Sequence, residues 1–158
     1  MHIAHRTGQN IAFFVALMAT ALVLGGALAH AFEMPNKIDL PREQYFVVQQ
    51  AYEGWNRLAF LISIEFTGLL ALTIVYWREP SVRTPVLIAF ASVILGQVLF
   101  WTFTFPANVA TDNWTEQPQN WRALRAQWEY SHLANAAFQV IAMAALIVAV
   151  LRRRTPIT

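Results

Sequence analysis

The fold is decided by residues 11–32, IAFFVALMATALVLGGALAHAF, a long apolar run without Asp, Glu, Lys or Arg. A helix needs about 20 consecutive apolar residues to cross the ~30 Å hydrocarbon core of a bilayer. Such a run is too long for the core of a soluble protein of 158 residues. Residues 11–32 therefore predict a membrane-spanning helix.

Three more runs of similar composition follow, at residues 58–77, 85–105 and 128–151. Hydrophobic residues make up 57% of the chain and charged residues only 13%. In lipid the backbone polar groups must be satisfied within a helix or a closed barrel, and these runs lack the alternation of a barrel strand. The sequence predicts an all-α integral membrane four-helix bundle, a single domain over residues 1–158.

The first connection begins with residues 33–41, EMPNKIDLP, which are typical of a turn. Residues 42–57, REQYFVVQQAYEGWNR, then carry apolar side chains at helical spacing. These side chains are Tyr45, Val48, Tyr52 and Trp55. We expect an amphipathic helix at the outer membrane interface, with Gly54 at the bend into the second span.

The other two connections differ in length. Arg78 to Thr84 predict a tight turn, since Pro85 suits the first turn of the third span. Between the third and fourth spans lies a longer polar segment, and Asn120 is a reasonable start for the last helix. That helix should run from Asn120 to Leu151, about 48 Å, so its first turns stand in the headgroup layer.

Basic residues predict the orientation. They cluster at both termini and in the short connection, the parts that face the cytoplasm when positive charge stays inside. The residues are Arg6, Arg78, Arg83, Arg152, Arg153 and Arg154. The net charge of +2 is then explained by lipid headgroups, and nothing resembles a nucleic-acid surface. We expect a bacterial inner-membrane protein whose functional site faces the outer side.

The chain contains no cysteine, so disulfides, thiolate nucleophiles and sulfur ligands are excluded. The first span also allows an alternative interpretation, a secretory signal with an Ala29-His30-Ala31 cleavage pattern. Cleavage there would remove His30 from the membrane domain.

Polar side chains descend along one face of the last predicted helix. The spacing of four, three and seven residues places them on one side, and they are Arg125, Glu129, His132 and Gln139. The other spans carry polar groups in their outer halves and almost none in their inner halves. We expect an outer-half cavity lined by His30, Glu65, Gln97, Glu129 and His132. An ionisable group in a span costs about 2.5–3.5 kcal/mol, although each of these residues can also serve as a buried interhelical hydrogen bond.

Tryptophans lie near the predicted membrane edges, at Trp77, Trp101, Trp114, Trp121 and Trp128. The simplest interpretation is an aromatic belt at the two interfaces. Trp101, Trp121 and Trp128 could instead form stacking surfaces for a flat ligand.

Metal and haem sites are open alternatives. Glu129-Tyr130-Ser131-His132 has the Glu-x-x-His spacing of di-metal carboxylate bundles, but in a single copy. Iron or copper would take His30, Glu129 and His132 as ligands. Haem could be held between His30 and His132. A serine hydrolase is disfavoured because no aspartate lies near Ser131.

Two segments, FPANVATDNWT at residues 105–115 and NWRALRAQWEYSH at residues 120–132, resemble the anthrone-oxygenase-like family of small four-helix membrane proteins. The matching positions are Pro106, Asn108, Arg125, Trp128 and His132. The similarity covers the third and fourth spans well and the first half only by layout. It implies a four-helix membrane fold and oxidation of an anthrone to an anthraquinone without a conventional cofactor.

The resulting hypothesis is an oxidoreductase that acts on a hydrophobic phenol, quinol or anthrone. His132 would accept a proton, oriented by Glu129, while Arg125 and Asn108 stabilise the anion. The alternative is an accessory protein that binds haem, metal, quinone or lipid without turnover. Transport ranks below both because the inner halves show little polarity. Ala21, Gly25 and Ala29, at four-residue spacing, would also allow close packing with a second copy.

Overall fold

The computed structural model describes residues 2–153, with side chains from residue 7 onward. It contains six α-helices in this part of the chain, whose bounds are α1 His2–Lys37, α2 Arg42–Gln49, α3 Leu58–Val75, α4 Pro80–Leu99, α5 Phe105–Ala110 and α6 Trp121–Arg152. Two 3₁₀ turns, Gln50–Tyr52 and Trp55–Arg57, connect α2 to α3. A π-helical segment, Phe100–Thr104, joins α4 to α5. The predicted all-α class is confirmed.

Four helical stretches are long and apolar enough to cross a membrane, which is consistent with an integral membrane protein. They are Thr7–Lys37, Trp55–Val75, Pro80–Ala110 and Trp121–Arg152. Each begins before the apolar run that predicted it, and all but the second also end after it. The extra turns carry Glu33, Lys37, Asn108 and Arg125.

The four long helices form a closed bundle. Helix α1 packs against α3 and α6, and α4 packs against α3 and α6. At one end, here called the terminal end, Arg153 donates a hydrogen bond to Asn10 Oδ1 over 2.9 Å and lies over the ring of Phe13. The opposite end, here called the loop end, carries the long connections of residues 38–57 and 111–120. The predicted membrane orientation relied in part on Arg6 and Arg154. Both residues lie outside the described side chains.

Apolar residues, most of them small or aliphatic, fill the half of the bundle near the terminal end. Its buried core includes Phe13, Leu69, Leu72, Tyr76, Val82, Val86, Val93 and Leu146. A Cβ atom added at Gly68 would lie 3.1 Å from the Cα of Ala16, so α1 and α3 approach closely because Gly68 has no side chain. Large apolar side chains such as Phe14, Phe60 and Leu151 point outward, as expected for a surface covered by lipid.

Two helix boundaries differ from the sequence prediction. Helix α1 continues through Pro35 to Lys37, where a turn was expected, because tertiary contacts of Lys37 outweigh the turn-forming composition. Helix α4 begins at Pro80 and includes Pro85, where a tight turn to Thr84 was expected. Pro80 takes the first helical position, where proline loses no hydrogen bond.

The predicted helix in the first connection is confirmed as α2, and Gly54 has a left-handed φ of 82° at the bend into α3. The face that α2 buries is different from the one expected at a lipid interface. Tyr45 and Phe46 are buried against Trp114 and Trp121. The aromatic face of α2 therefore packs inside the protein.

The second long connection is held in a strained conformation. Asp112, Asn113 and Trp114 have φ values of 42°, 52° and 68°, a left-handed conformation that is uncommon for residues other than glycine. The backbone N–H of Asn113 donates to the Asn108 carbonyl over 2.7 Å. Trp114 N–H donates to Thr111 Oγ1 over 3.1 Å, and Gln50 Nε2 donates to the Trp114 carbonyl over 3.0 Å. These bonds hold the turn that places the Trp114 ring.

Candidate functional site

Two histidines from α1 and α6 stack at the loop end of the bundle. The rings of His30 and His132 have centroids 4.1 Å apart and planes inclined by 26°. His30 is buried, while His132 is half-buried and so partly open to its surroundings. The Trp128 ring lies 4.1 Å from His132. The His30 ring also meets Tyr52 at 4.4 Å and Trp55 at 5.0 Å, so aromatic rings surround the pair.

Next to the histidines, Lys37 ends in a buried ion pair. Its ammonium lies 3.4 Å from Glu129 Oε1, with the lysine side chain 2% exposed and the glutamate side chain 0% exposed. The same ammonium lies 4.3 Å from the Tyr52 ring centroid and 4.8 Å from that of Trp128. Burying these two opposite charges together avoids the several kcal/mol that either would cost alone.

Hydrogen bonds extend the ion pair into a chain across α2, α6, α1 and the 3₁₀ turn. Gln49 donates to the hydroxyl of Tyr45, which donates to Glu129 Oε1 over 2.8 Å. On the other side Lys37 donates to the Tyr52 hydroxyl over 2.5 Å, and Tyr52 donates to Glu33. The Glu33 side chain is 53% exposed, so the chain runs from a buried carboxylate to the protein surface.

Tyr45 and Tyr52, the two tyrosines in this series of hydrogen bonds, are held in the neutral form. Burial raises the pKa of the Tyr45 hydroxyl above its usual value, and the neighbouring Glu129 carboxylate adds to the effect. Burial likewise raises the pKa of Tyr52, assisted by the hydrogen bond to Glu33. The two phenols therefore act as hydrogen-bond donors to carboxylates rather than as phenolates.

Asn108 of α5 binds two tryptophans. Its Oδ1 accepts hydrogen bonds from Trp128 Nε1 over 2.9 Å and from Trp114 Nε1 over 3.2 Å. Because its oxygen is turned to these indoles, Asn108 fixes the wall beside His132. The structure thus gives this residue a positioning contact, where the sequence hypothesis expected it to stabilise an anion.

Arg125 lies apart from the histidines. Its guanidinium donates to the Leu40 carbonyl over 2.9 Å and stacks 4.7 Å from the Trp121 ring. It lines a groove of about 460 Å³ at the loop end, together with Asp39, Leu40, Pro41, Arg42, Glu43, Trp121 and Arg122. Seven residues, about 10.5 Å along the helix, separate it from His132. Glu129 pairs with Lys37 and Tyr45 rather than with His132, which it was expected to orient.

The other residues of the predicted cavity are dispersed. Glu65 is fully buried and accepts a hydrogen bond from Gln139 Nε2 over 3.4 Å, seven residues deeper along α6 than His132. Gln97 is half-buried, and no hydrogen bond joins it to the described side chains around His132. Trp101 is 60% exposed and contacts Phe100 and Phe105. The five residues expected to line one cavity therefore lie at different depths.

The five tryptophans predicted near the membrane edges divide into two groups. Trp77 and Trp101 are exposed, as an aromatic belt requires. Trp114, Trp121 and Trp128 are between 3% and 7% exposed, so they are interior residues. Trp128 is the one of these that contacts the histidine pair.

The histidine pair does not fit the expected haem site. Axial imidazoles lie on opposite faces of a porphyrin and point their nitrogens at the iron. Rings stacked 4.1 Å apart leave no space for a macrocycle between them. In the part of the chain with described side chains, no group of three or more His, Asp or Glu residues is arranged to hold a metal ion. The Lys37 ammonium occupies the cation position beside Glu129.

Sequence reasoning missed Lys37, Tyr52 and Gln49 as site residues. His30, Glu33 and Lys37 follow one another at intervals of three and four residues, which would place them on one helical face had the helix been extended past Pro35. Tyr45 and Tyr52 were recognised only as apolar positions of an interfacial helix. Their spacing of seven residues, two helical turns, could have indicated that the two hydroxyls lie on one face.

Comparison of the chain with protein-family models, curated proteins and solved structures gave no match.

Proposed function

We propose that this protein is a membrane-embedded oxidoreductase that acts on a flat, hydrophobic aromatic molecule of the phenol, quinol or anthrone class. The observation that carries the proposal is the half-buried His132 ring, which stacks on His30 and contacts the tilted Trp128 ring beside the Lys37–Glu129 pair. A base, aromatic walls and a buried cation are the groups that such a substrate requires. In this proposal the site lies on the outer side of a bacterial inner membrane, as the basic residues predict.

In this mechanism His132 takes a proton from the activated C–H or O–H group of the substrate. The resulting anion is stabilised by the Lys37 ammonium, which lies in a low-dielectric environment where charge interactions are strong. This assigns to Lys37 the role that the sequence hypothesis gave to Arg125 and Asn108. Stacking, rather than a bond from Glu129, holds His132 in place.

Dioxygen is the oxidant. For an anthrone, the CH₂ carbon loses two hydrogens and gains one oxygen atom as a carbonyl. The second oxygen atom leaves as water with the two protons. The apolar surroundings suit a reaction of an electron-rich carbanion because they exclude bulk water. This is the reaction implied by the resemblance to the anthrone-oxygenase-like family.

The test uses full-length protein in a mild detergent, with anthrone as the probe. Anthraquinone formation and oxygen consumption are measured together, above the spontaneous rate in protein-free buffer. We expect His132→Ala to reduce the protein-dependent rate at least about 100-fold, the range of general-base catalysis. Leu133→Ala, at the neighbouring 41%-exposed position, should retain the rate. Equal rates in the two variants, or no protein-dependent rate, would overturn the proposal.

A second candidate function is passive binding of a hydrophobic molecule such as a quinone or lipid. The observation that favours it is a largely apolar groove of about 320 Å³ lined by Gly26, Gly54, Trp55, Arg57, Leu58 and Leu61. It lies next to the site, because the Trp55 ring also contacts His30. A side chain at Gly26 would close it, since an added Cβ atom would lie 3.3 Å from Leu58 Cδ1.

Mass spectrometry of organic extracts tests this second function. A binding protein should carry a hydrophobic molecule through purification, and Gly26→Leu should lose it. Gly25→Leu is the matched control, because an added Cβ atom there meets no atom within 4 Å. Equal occupancy in both variants would exclude this groove.

A further inference from the structure

A groove at the loop end lies between the start of α2 and the first turn of α6. It has a volume of about 460 Å³, and its charged lining consists of three arginines and two carboxylates. Arg42 and Glu43 neutralise each other, since Arg42 Nη2 lies 3.2 Å from Glu43 Oε1. The remaining charges are those of Arg122, Arg125 and Asp39. The groove therefore carries one positive charge in excess.

The ring of Trp121 holds two of the arginines in place. The guanidinium carbons of Arg122 and Arg125 lie 5.4 Å and 4.7 Å from the ring centroid, within the range of a cation–π contact. Arg125 also donates to the Leu40 carbonyl over 2.9 Å. Because stacking uses the face of a guanidinium, the N–H groups at its edge remain available to an anion.

Neither of these two arginines forms an ion pair with a carboxylate among the described residues. The Glu129 carboxylate, on which Arg125 acts through space, pairs with Lys37 over 3.4 Å instead. An anion in the groove would thus meet two guanidinium groups that no carboxylate of the protein occupies.

The groove lies at the level of the lipid headgroups. Helix α6 has 32 residues, about 48 Å, whereas the hydrocarbon core of a bilayer is ~30 Å thick. Its first turn therefore stands outside the core. Leu133 and Val140 follow Arg122 on the same face of α6, about three and five turns further along, and are 41% and 47% exposed. A lipid with its headgroup in the groove would have an apolar helix face for its acyl chain.

We propose that this groove binds the phosphodiester headgroup of an anionic phospholipid such as phosphatidylglycerol, with Arg122 and Arg125 as its ligands. The planar fork of N–H groups in arginine matches the oxygen atoms of a phosphate. A phosphodiester carries a single negative charge, which balances the excess charge of the groove. Basic pockets between membrane helices bind anionic headgroups in the same way. The site lies apart from the histidine pair and does not depend on the proposed oxidation.

The experiment is native mass spectrometry of the purified full-length protein in a nonionic detergent, titrated with phosphatidylglycerol or phosphatidylcholine of the same acyl chains. We expect one tightly held phosphatidylglycerol per chain, with an affinity at least about tenfold above that for phosphatidylcholine. Arg122→Gln and Arg125→Gln should each lower this affinity about tenfold, since each removes charged hydrogen bonds to the phosphate. Arg78→Gln is the matched control, because it removes the same charge from an exposed side chain at the terminal end.

The use of two variants keeps the test decisive, because Arg125→Gln also removes the bond to Leu40, whereas the exposed Arg122 side chain contacts the Trp121 ring. An equal loss of affinity in Arg78→Gln would overturn the proposal, since it would show a general effect of charge. So would equal binding of the two lipids, or a preference for phosphatidylethanolamine, whose ammonium group would then pair with Asp39. Displacement of phosphatidylglycerol by inorganic phosphate would identify a site for a soluble anion and would also overturn the assignment to a lipid.

Discussion

The two halves of the bundle bury different kinds of side chain. Near the terminal end, Gly68 packs on Ala16 and apolar side chains fill the space, with no buried ion pair among the described residues there. Near the loop end, Lys37, Glu129, His30 and two tyrosines share a compact region. Apolar packing is sufficient to hold helices together. The charges at the loop end therefore go beyond what apolar packing requires, and for this reason we propose a function for them.

Removing one charge of the buried pair tests that contrast most strongly. Lys37→Met should destabilise the protein by about 3–5 kcal/mol, because Glu129 would remain buried without its cation. The double variant Lys37→Met/Glu129→Leu should recover much of this loss, since two apolar side chains of similar size replace the pair. Denaturation in detergent, analysed as a double-mutant cycle, gives the values. A double variant that loses the sum of both single effects would refute a direct pairing.

The next effect concerns the acceptor shared by two indoles. Asn108→Leu should destabilise the protein by about 2 kcal/mol, because Trp114 and Trp128 lose their acceptor in a buried place. Tryptophan fluorescence should change as well, since both rings move. Asn56→Leu is the control, at an exposed position outside the cluster. Unfolding measured by fluorescence and by circular dichroism distinguishes a local change from a global one.

Alkaline pH should weaken the loop end in particular. The folded state holds the Tyr45 proton above the ordinary pKa because the hydroxyl is buried beside Glu129, whereas the unfolded chain releases it near pH 10. This contribution to stability is fully present below pH 10 and falls as pH rises, by about 1.4 kcal/mol at pH 11. Tyr45→Phe should lose stability less steeply over the same interval. Identical pH dependence in both proteins would contradict this assignment.

The smallest effect is expected from the apolar half. Gly68→Ala should destabilise the protein by about 1 kcal/mol, because the new methyl group meets the backbone of Ala16 at 3.1–3.2 Å. Gly25→Ala faces open space and should be neutral or slightly stabilising, since alanine favours helix. Thermal melts of the two variants provide the comparison. A larger loss in Gly25→Ala would show that this face is covered by another chain.

Much of the fold could be predicted because long apolar runs leave the chain few alternatives. Hydrophobicity alone located the four spans, and the start near Asn120 placed α6 correctly. Helix ends were less predictable, since Pro35 and Pro85 are compatible with a turn and with a helix. Their actual positions depend on partners distant in sequence, such as Glu129 for Lys37.

The candidate site was predictable only in part, for the same reason. Helical spacing correctly placed Glu129, His132 and Gln139 on one interior face of α6, because that face depends on a single helix. The pairing of His30 with His132 and of Lys37 with Glu129 depends on how α1 rotates against α6. The spacing of residues within one helix gives no information about how that helix is rotated against another. Arg125 and Trp101 were therefore grouped with the histidines, whereas Arg125 contacts Trp121 and Leu40 and Trp101 contacts Phe100 and Phe105.

The π-helical segment Phe100–Thr104 makes the third span sensitive to deletion of a residue. A π turn accommodates one residue more than an α turn, which shifts all later side chains by about 100° around the helix. Gln127 Nε2 donates to the Phe103 carbonyl over 2.7 Å, and the hydroxyls of Thr104 and Ser131 lie 2.7 Å apart, so α6 secures the extra residue. Deletion of a single residue there would restore a regular α-helix. The same deletion would rotate Asn108 away from Trp128. The number of residues in this segment, rather than the identity of any side chain, therefore determines which face of α5 packs against α6.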